Sequence, residues 1–326
     1  MRISSAQRPD RPSRRPSSVH LFPGQGDFSV AALAGAVRPG TGLATAARQV
    51  FEEVDQVTAE RGLPRLGPWL LGQRPPSGRE LAHAGPGLAQ LALYGASLTV
   101  HRALCASWGE PSAVVGVSFG EIAALASAGV LTVPDGARAA HDLALVLAGC
   151  PGGLTLLSCP EPSARRLLER AGATDTVVAV VNDDRSVVLA GPVSDLARVE
   201  KTAADQSVPA ARLRLPFSSH HPELTAQSEK FAASLRAYAF APARLPVYSA
   251  VAGRRYGPDD DLPRRLADCL TLPAVVPTVL HQVAEHRPDV AFEAGTGSAL
   301  AASARRVLAA DALPVHAPLT EPDFAW

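Results

Sequence analysis

Short apolar runs alternate with longer amphipathic stretches along most of this 326-residue chain. Runs such as 112–117 (SAVVGV) are typical of buried strands, whereas 86–108 carries its apolar positions at the spacing of a long amphipathic helix. Strands and helices alternate in this way over 19–149 and again over 216–326. Because a crossover helix returns the chain to a parallel neighbour, this order predicts an α/β protein of the α/β-hydrolase-like type, built on a parallel sheet.

The pattern changes between residues 150 and 215, where the elements follow in the order strand, helix, strand, strand, helix, strand. This order is the signature of a ferredoxin-like subdomain, and Asn182–Arg185 supplies a polar turn between its central strands. We therefore expect a large α/β subdomain, 19–149 with 216–326, interrupted by a small one at 150–215. Residues 1–18 are rich in Arg, Pro and Ser and are expected to form a disordered tail.

The overall composition narrows the possible partners. Basic and acidic residues balance at 31 each, which argues against nucleic acid as the main partner. Apolar residues make up 47% and charged residues 19%, as in an ordinary globular protein. The sequence has neither a run of about 18 apolar residues nor the apolar core of a secretory signal. It therefore predicts a cytoplasmic protein that has no membrane partner.

The cysteines are scattered and include no C-x-x-C pair. This usage predicts reduced, mostly buried thiols rather than disulfides or a zinc site. The four positions are Cys105, Cys150, Cys159 and Cys269.

Residues 116–120 (GVSFG) form a G-x-S-x-G motif between an apolar strand and a helical pattern. This context is typical of a nucleophile elbow, in which flanking glycines permit a tight turn that exposes the serine hydroxyl. Ser118 is thus a candidate nucleophile, and the backbone N–H of Phe119 would face developing negative charge. The alternative is an ordinary turn bracketed by glycines.

A serine nucleophile needs a base, and the junction 216–222 (PFSSHHP) offers two candidates between a strand and a helix. Spacing alone does not choose between His220 and His221. A second glycine-rich loop, 22–26 (FPGQG), follows the first strand and could supply another oxyanion N–H. The alternatives are a plain turn or a phosphate-binding loop, although the lysine of a Walker A motif is missing.

Five motifs together resemble the acyltransferase family of malonyl-CoA:acyl carrier protein transacylases and polyketide synthase acyltransferase domains. They are FPGQG, GVSFGE, PFSSHH, PVYSAV and FEAGTG, in the family's order and spacing across about residues 18–310. The resemblance implies a Ser118 nucleophile and a His220 base, and so decides against His221. It further implies an oxyanion hole made by the N–H groups of Gln25 and Phe119, and a histidine oriented by the carbonyl of Ala250.

Three departures from the family concern the acyl pocket. Malonyl-type members carry an arginine that pairs with the substrate carboxylate, and the alignment places Leu143 there. Val117 replaces a common histidine and Gly85 a common glutamine. With Phe217 and Ser218 also expected to line it, the pocket is predicted to be roomy, weakly polar and unsuited to malonyl-CoA.

The resemblance therefore implies a stand-alone, trans-acting acyltransferase that forms an acyl-serine and moves a non-carboxylated group. Relatives in macrolactam pathways transfer aminoacyl or dipeptidyl groups between carrier proteins in this way. Donor and acceptor acyl carrier proteins are the expected partners, and the chemistry needs neither an organic cofactor nor a metal.

Two other functions stay open at this point. One is an acyl carrier protein hydrolase that removes stalled chains, and the other is a non-catalytic carrier-binding module. Because carrier proteins are usually acidic, paired arginines are candidates for docking. The preferred pairs are Arg254 with Arg255 and Arg264 with Arg265, and Arg305–Arg306 is a further candidate.

Overall fold

The computed structural model describes residues 16–326, so most of the tail expected at 1–18 lies outside the described residues. The strands in this part of the chain are β1 (Ser18–Phe22), β2 (Ala113–Gly116), β3 (Gly153–Leu157), β4 (Val177–Asp183), β5 (Ser186–Gly191), β6 (Ala210–Arg212), β7 (Val247–Ser249), β8 (Arg254–Arg255), β9 (Ala274–Val275), β10 (Val290–Glu293) and β11 (Val315–His316). The helices are α1 (Val30–Ala36), α2 (Gly42–Glu60), α3 (Leu66–Leu70), α4 (Gly78–Ala84), α5 (Leu88–Trp108), α6 (Gly120–Ser127), α7 (Val133–Leu147), α8 (Glu161–Ala171), α9 (Val193–Asp205), α10 (Thr225–Leu235), α11 (Leu262–Ala267), α12 (Val276–Ala284) and α13 (Ala299–Val307).

The larger sheet has the order β11-β10-β1-β2-β7-β8. Its first five strands run parallel, and only the two-residue β8 is antiparallel to its neighbour. The central strands β1 and β2 are completely buried, β2 as a continuous apolar run and β1 with the polar Ser18 and His20 among its residues. Because β1 and β2 are parallel neighbours, the two glycine-rich loops that follow them meet at the same edge of the sheet.

The smaller sheet has the order β6-β3-β5-β4-β9. Its first four strands and helices α8 and α9 have the chain order and antiparallel pairing of a ferredoxin-like unit. The fifth strand, β9, comes from the later part of the chain and pairs in parallel with β4. The α/β class predicted from the sequence is confirmed, and β9 ties the two sheets together.

The two faces of the smaller sheet contact different parts of the molecule. On β5, Val187 and Leu189 pack with α8 and α9 in a small apolar core of their own. Ser186 and Val188 alternate with them and line a cavity on the opposite face. One face of this sheet thus stabilises the small unit, and the other is a wall of the site described below.

The sequence predicted an amphipathic helix at 86–108. In the structure this helix, α5, is instead buried on nearly all sides. It packs between the larger sheet and helices α2 and α7. Its apolar residues are therefore not confined to one stripe, as expected of a helix in the centre of a large core. No helix within residues 16–326 is long and apolar enough to cross a bilayer.

The segment 64–79, in which Pro and Gly are frequent, contains α3 and the start of α4. Helix α3 begins where the carboxylate of Asp55, on α2, accepts hydrogen bonds from the N–H groups of Leu66 and Gly67. These contacts satisfy N–H groups that a short helix leaves unpaired at its start. Because the cap comes from eleven residues upstream of Leu66, local sequence patterns do not show it.

Replacing Gly120 by alanine should destabilise the fold. The new Cβ would lie 2.2 Å from the carbonyl oxygen of Phe22 and 2.6 Å from that of Pro23, and neither is the flexible end of a side chain. We expect a loss of about 1–3 kcal/mol in the free energy of unfolding, measured by urea denaturation. Gly35→Ala, in α1 with nothing within 4 Å of its Cβ, is the matched control and should be neutral or stabilising. An unchanged urea midpoint for Gly120→Ala would contradict this packing.

Candidate active site

Ser118 lies on a tight turn between β2 and α6. Its φ of 54° falls in the left-handed region, which is uncommon for a residue other than glycine. The turn is possible because Gly116 and Gly120 leave space, since a Cβ on Gly116 would lie 2.6 Å from the Cα of Glu121. The strained serine with its glycine neighbours has the geometry of a nucleophile elbow.

The hydroxyl Oγ of Ser118 lies 2.8 Å from Nε2 of His220. His220 also has a left-handed φ, 57°, and its side chain is buried. Its backbone N–H donates to the carbonyl of Cys269, and that of His221 donates to the carbonyl of Leu270. These two bonds fix the junction 216–222 against the segment after α11, so the ring is held facing the serine.

The carbonyl that orients the histidine belongs to Leu272, and the assignment to Ala250 was wrong. Nδ1 of His220 lies 2.7 Å from the carbonyl oxygen of Leu272. The carbonyl of Ala250 instead accepts a bond from the N–H of Val275. A backbone carbonyl leaves no residue-type signature, so alignment of the PVYSAV motif could not distinguish two neighbouring segments. With Nδ1–H donating to Leu272, Nε2 is left free to accept the proton of Ser118.

His221 has a different place in the structure. Its Nε2 lies 3.1 Å from the carbonyl oxygen of Asp175, and its Nδ1 accepts a bond from the N–H of Glu223. The ring thereby caps a short 3-10 helix at Pro222–Leu224. Of the two histidines that spacing left open, only His220 contacts Ser118.

Burial lowers the pKa of His220 from its ordinary 6.5 to about 4, and the bond to the Leu272 carbonyl opposes this shift only in part. The cause is the cost of removing an imidazolium from water. The ring is therefore neutral at physiological pH, the form that accepts a proton from a serine hydroxyl.

Gln25 and Phe119 were predicted to supply the N–H groups of an oxyanion hole, and Phe119 directly follows Ser118 in the chain. Neither donates a hydrogen bond to another residue within 16–326. Phe119 is also the N-cap of α6, whose dipole places partial positive charge at this end. Helix α5 fixes the loop that carries Gln25, because the side-chain oxygen of Gln25 accepts a 2.9 Å hydrogen bond from the side-chain amide of Gln90. The sequence alone did not indicate this contact.

Glu121, the second residue of α6, stabilises the turn at Ser118 through hydrogen bonds to two other elements. One carboxyl oxygen accepts a 2.8 Å bond from Ser249 on β7, and the other accepts a 2.5 Å bond from the hydroxyl of Tyr256. Complete burial raises the pKa of this carboxyl to about 7, against its two hydrogen bonds. These contacts attach the first turn of α6 to the larger sheet. The motif GVSFGE contains Glu121, but its partners are remote in sequence.

A cavity of about 530 Å³ opens at Ser118 and His220, between the two sheets. Val117 and Phe217 line it, as expected. Much of the remaining wall is apolar and comes from the small unit and the segment that follows it. These lining residues are Leu154, Leu156, Val180, Val188, Leu213 and Leu215.

Three residues predicted to line the pocket do not. Leu143 is 2% exposed and packs in the core on α7. Gly85 ends α4, where a Cβ would meet Leu63. Ser218 is buried beside the cavity wall, and its backbone N–H donates to the carbonyl of Cys150. The alignment placed these residues by position in the chain, whereas packing decides which side chains reach the cavity.

The chain's family is shown by its sequence. Residues 83–317 match the family described as acyl transferase domain. The chain belongs to this acyl transferase family. The enzyme class expected from the motifs is therefore confirmed.

Curated relatives of this acyl transferase are polyketide synthases. A conidial pigment polyketide synthase of Pestalotiopsis fici is 30% identical over 215 residues, covering 64% of this chain and 10% of its own. A non-reducing polyketide synthase of Gibberella fujikuroi is 31% identical, with coverages of 66% and 9%. The chain thus spans about a tenth of the length of these curated relatives.

Solved structures show the same fold. The acyltransferase domain of SpnD superposes with a TM-score of 0.81 at 22% identity, covering 98% of this chain and 75% of that one. A malonyl-CoA:acyl carrier protein transacylase of Xanthomonas oryzae gives 0.79 at 24% identity, with coverages of 94% and 95%. At these identities the likeness establishes the architecture.

Charged groups at the cavity of this acyl transferase are few. Arg306 donates to the buried carboxylate of Asp183 at 2.6 Å. Arg185 lines the cavity with a side chain that is 78% exposed, and its nearest acid is the equally exposed Asp184 at 3.9 Å. Asp27 is the only acidic residue among those lining the cavity, and it accepts bonds from the N–H groups at the start of α13.

The two preferred docking pairs, Arg254 with Arg255 and Arg264 with Arg265, are not among the residues that line the cavity, whereas Arg306 of the further candidate pair lines it. Arg254 and Arg265 both pair with Asp260, at 2.7 and 3.0 Å. Arg264 pairs with Asp268 at 3.3 Å. Only Arg255 of this group has no ion pair within residues 16–326. Three of the four charges are thus partly neutralised in the folded chain.

The rate at which a serine-directed sulfonyl fluoride labels Ser118 should stay high at mildly acidic pH. We expect it to fall through about pH 4, because only there does His220 become protonated and lose its capacity to accept a proton. Labelling rates followed by intact mass from neutral pH downwards, with circular dichroism at each pH, would measure this. His221→Asn, which keeps a cap acceptor, should leave the midpoint unchanged. A midpoint near the ordinary 6.5 would contradict the buried, neutral histidine.

Proposed function

We propose that this acyl transferase carries a non-carboxylated acyl group on Ser118 and moves it onto or between acyl carrier proteins in polyketide biosynthesis. The observation that carries the proposal is the largely apolar cavity at the Ser118–His220 pair. A malonyl-transacylase with this fold has been solved in complex with its type II polyketide synthase acyl carrier protein, which supports the carrier as partner. Action in trans stays a prediction from the sequence.

In the first half of the reaction, Ser118 Oγ attacks the carbonyl carbon of the donor thioester while His220 Nε2 takes the hydroxyl proton. The negative charge on the carbonyl oxygen is stabilised by the N–H groups of Gln25 and Phe119. In such chemistry one donor contributes about 2.7–4 kcal/mol. The C–S bond then breaks, His220 returns its proton to the departing thiolate, and an acyl-serine remains.

The second half reverses these steps with another thiol. The phosphopantetheine thiol of the acceptor gives its proton to His220 Nε2 as its sulfur attacks the acyl-serine carbonyl. The C–O bond breaks and His220 protonates Ser118 Oγ. The Leu272 carbonyl keeps the ring in the same tautomer between the two halves, because its bond to Nδ1–H is present throughout.

The lining of the cavity favours an uncharged or amino-bearing acyl group. A carboxylate placed among Leu154, Leu156 and Val188 would lose its hydration at a cost of several kcal/mol, and the one lining cation not tied to a buried acid, Arg185, is largely exposed to solvent. Arg306 is already paired with Asp183. The Asp27 carboxylate would repel a second carboxylate and attract an ammonium group, which supports an aminoacyl or dipeptidyl substrate.

The first test is intact mass of the protein after mixing with malonyl-CoA, acetyl-CoA, longer acyl-CoAs, and carrier proteins loaded with aminoacyl or dipeptidyl groups. We expect an adduct from a neutral or amino-bearing donor, absent in Ser118→Ala. A malonyl adduct of equal or greater yield would overturn the specificity. Free acid released without an acceptor would identify a hydrolase, and absence of any adduct or acid would point to a binding module.

Asp27→Asn should reduce loading from an aminoacyl donor relative to a neutral donor of equal length. The amide keeps an acceptor oxygen for the start of α13 but removes the negative charge. Asp323→Asn, at an exposed position outside the cavity, is the matched control. The ratio of the two kcat/KM values is the measured quantity. An unchanged ratio would remove Asp27 from substrate recognition without affecting the proposed acyl-serine chemistry.

Arg255→Glu should raise KM for an acidic carrier protein while leaving kcat unchanged. Arg255 is the exposed member of the docking pairs that has no acidic partner within residues 16–326. We expect an increase of roughly threefold at low salt that disappears at high salt. Arg48→Glu, on the exposed face of α2, is the control. Equal KM values for both variants would exclude Arg255 from docking.

A further inference from the structure

A cluster of His20, His101 and Cys105 lies in the core, and the proposed reaction does not use it. His20 is in the middle of β1, and its side chain is fully buried. His101 and Cys105 are four residues apart on α5, so they lie one above the other on the same helix face. One ring nitrogen from each histidine and the Cys105 sulfur all lie within 4.8 Å of one another.

The spacing of these atoms is close to that of ligands around one metal ion. The Nδ1 atoms of His20 and His101 are 2.9 Å apart, and the Cys105 sulfur is 3.8 Å from Nδ1 of His101. A tetrahedral zinc ion with Zn–N of about 2.0–2.1 Å and Zn–S of about 2.3 Å separates its ligands by roughly 3.3–3.6 Å. Nδ1 of His101 is within a few tenths of an ångström of that range from each of the other two atoms, and all three atoms lie within 4.8 Å of one another.

The buried histidine pair leaves one polar atom unpaired within residues 16–326, the ring nitrogen of His20 opposite the one that faces His101. Its single hydrogen bond leaves Nε2 of His20 buried with no partner in the described part of the chain. A buried polar atom without a partner costs about 1–3 kcal/mol, which an apolar side chain at this strand position would avoid. Burial lowers the pKa of both histidines, so both rings are neutral, the form that binds metals, and it raises the pKa of Cys105 to about 12, so the thiol stays protonated until a metal ion displaces its proton.

The combination of ligands selects the metal. Two imidazoles and a thiolate suit a borderline-soft divalent ion and are unsuited to Mg²⁺ or Ca²⁺, which take oxygen ligands. Cys105 is partly exposed, whereas the other two residues are buried. An ion would therefore approach the cluster from the Cys105 side, and a water molecule would complete the fourth coordination position.

We propose that His20, His101 and Cys105 form a structural binding site for one Zn²⁺ ion that cross-links β1 to α5. The sulfur–zinc bond forms as the Cys105 thiol releases one proton to solvent. Strand β1 ends at the loop that carries Gln25, so the ion would stabilise the element from which one oxyanion donor extends. This site is separate from the Ser118 chemistry and does not depend on the proposed acyl group.

The test uses the full chain after chelator treatment, with Zn²⁺ and then Co²⁺ as probes. Calorimetry should give one Zn²⁺ per chain, and Co²⁺ should produce a thiolate-to-metal charge-transfer band. At a hundredfold excess over Kd, Zn²⁺ should raise the Tm by roughly 5 °C. Cys105→Ser should abolish the charge-transfer band and the Tm shift, as should His20→Phe, which fills the buried position with an apolar ring.

Two control variants separate this site from adventitious binding. Cys159→Ser changes a buried cysteine in the small unit, and His83→Ala changes an exposed histidine on α4. Both should bind Zn²⁺ as the unaltered chain does. The proposal is overturned if no stoichiometric Zn²⁺ binds, if the Co²⁺ form lacks the charge-transfer band, or if Cys105→Ser keeps both signals. Because Cys105 is only partly buried, that variant should fold even if His20→Phe does not.

Discussion

The site depends on how closely the start of α6 approaches the end of β1. The main chain at Gly120 packs against the carbonyl groups of Phe22 and Pro23 with no space for a Cβ. This contact sets the distance between the two loops after β1 and β2, and so between their N–H groups. It also holds Ser118 in a left-handed conformation that a looser turn would relax. The geometry of the site here follows from backbone packing, which sets the positions of the Ser118 and His220 side chains.

Behind that contact lies a second layer of support made of buried polar groups. Glu121 joins α6 to β7 through Ser249 and also binds Tyr256, while the Leu272 carbonyl fixes the histidine ring. Glu121, Ser249 and Tyr256 are buried, so their hydrogen-bond partners must be in place when the chain folds. The resulting rigidity is suited to a reaction in which one histidine serves both as base and as acid.

Sequence patterns predicted the fold class well because long helices and buried strands have clear periodicity. The strand predicted at 112–117 and the helix predicted at 86–108 lie within two residues of the bounds of β2 and α5, whereas two-residue strands such as β9 are too short to show a pattern. At the site, Ser118 was found through the glycines that its turn requires. Leu272 was missed because a carbonyl group has no residue preference, and Leu143 was misplaced because burial depends on tertiary packing.

Strand β9 also links the wall of the cavity to the segment that orients the His220 ring. Its residues Ala274–Val275 pair with β4 of the smaller sheet, and they begin two residues after Leu272. The N–H of Val275 is at the same time anchored to the carbonyl of Ala250 in the large unit. A bulky acyl chain that displaces the smaller sheet would therefore pull on the segment that aligns His220. If the proposed function is right, the size of the acyl group would then change the geometry between His220 and Ser118, even though the acyl chain does not contact the histidine-orienting segment.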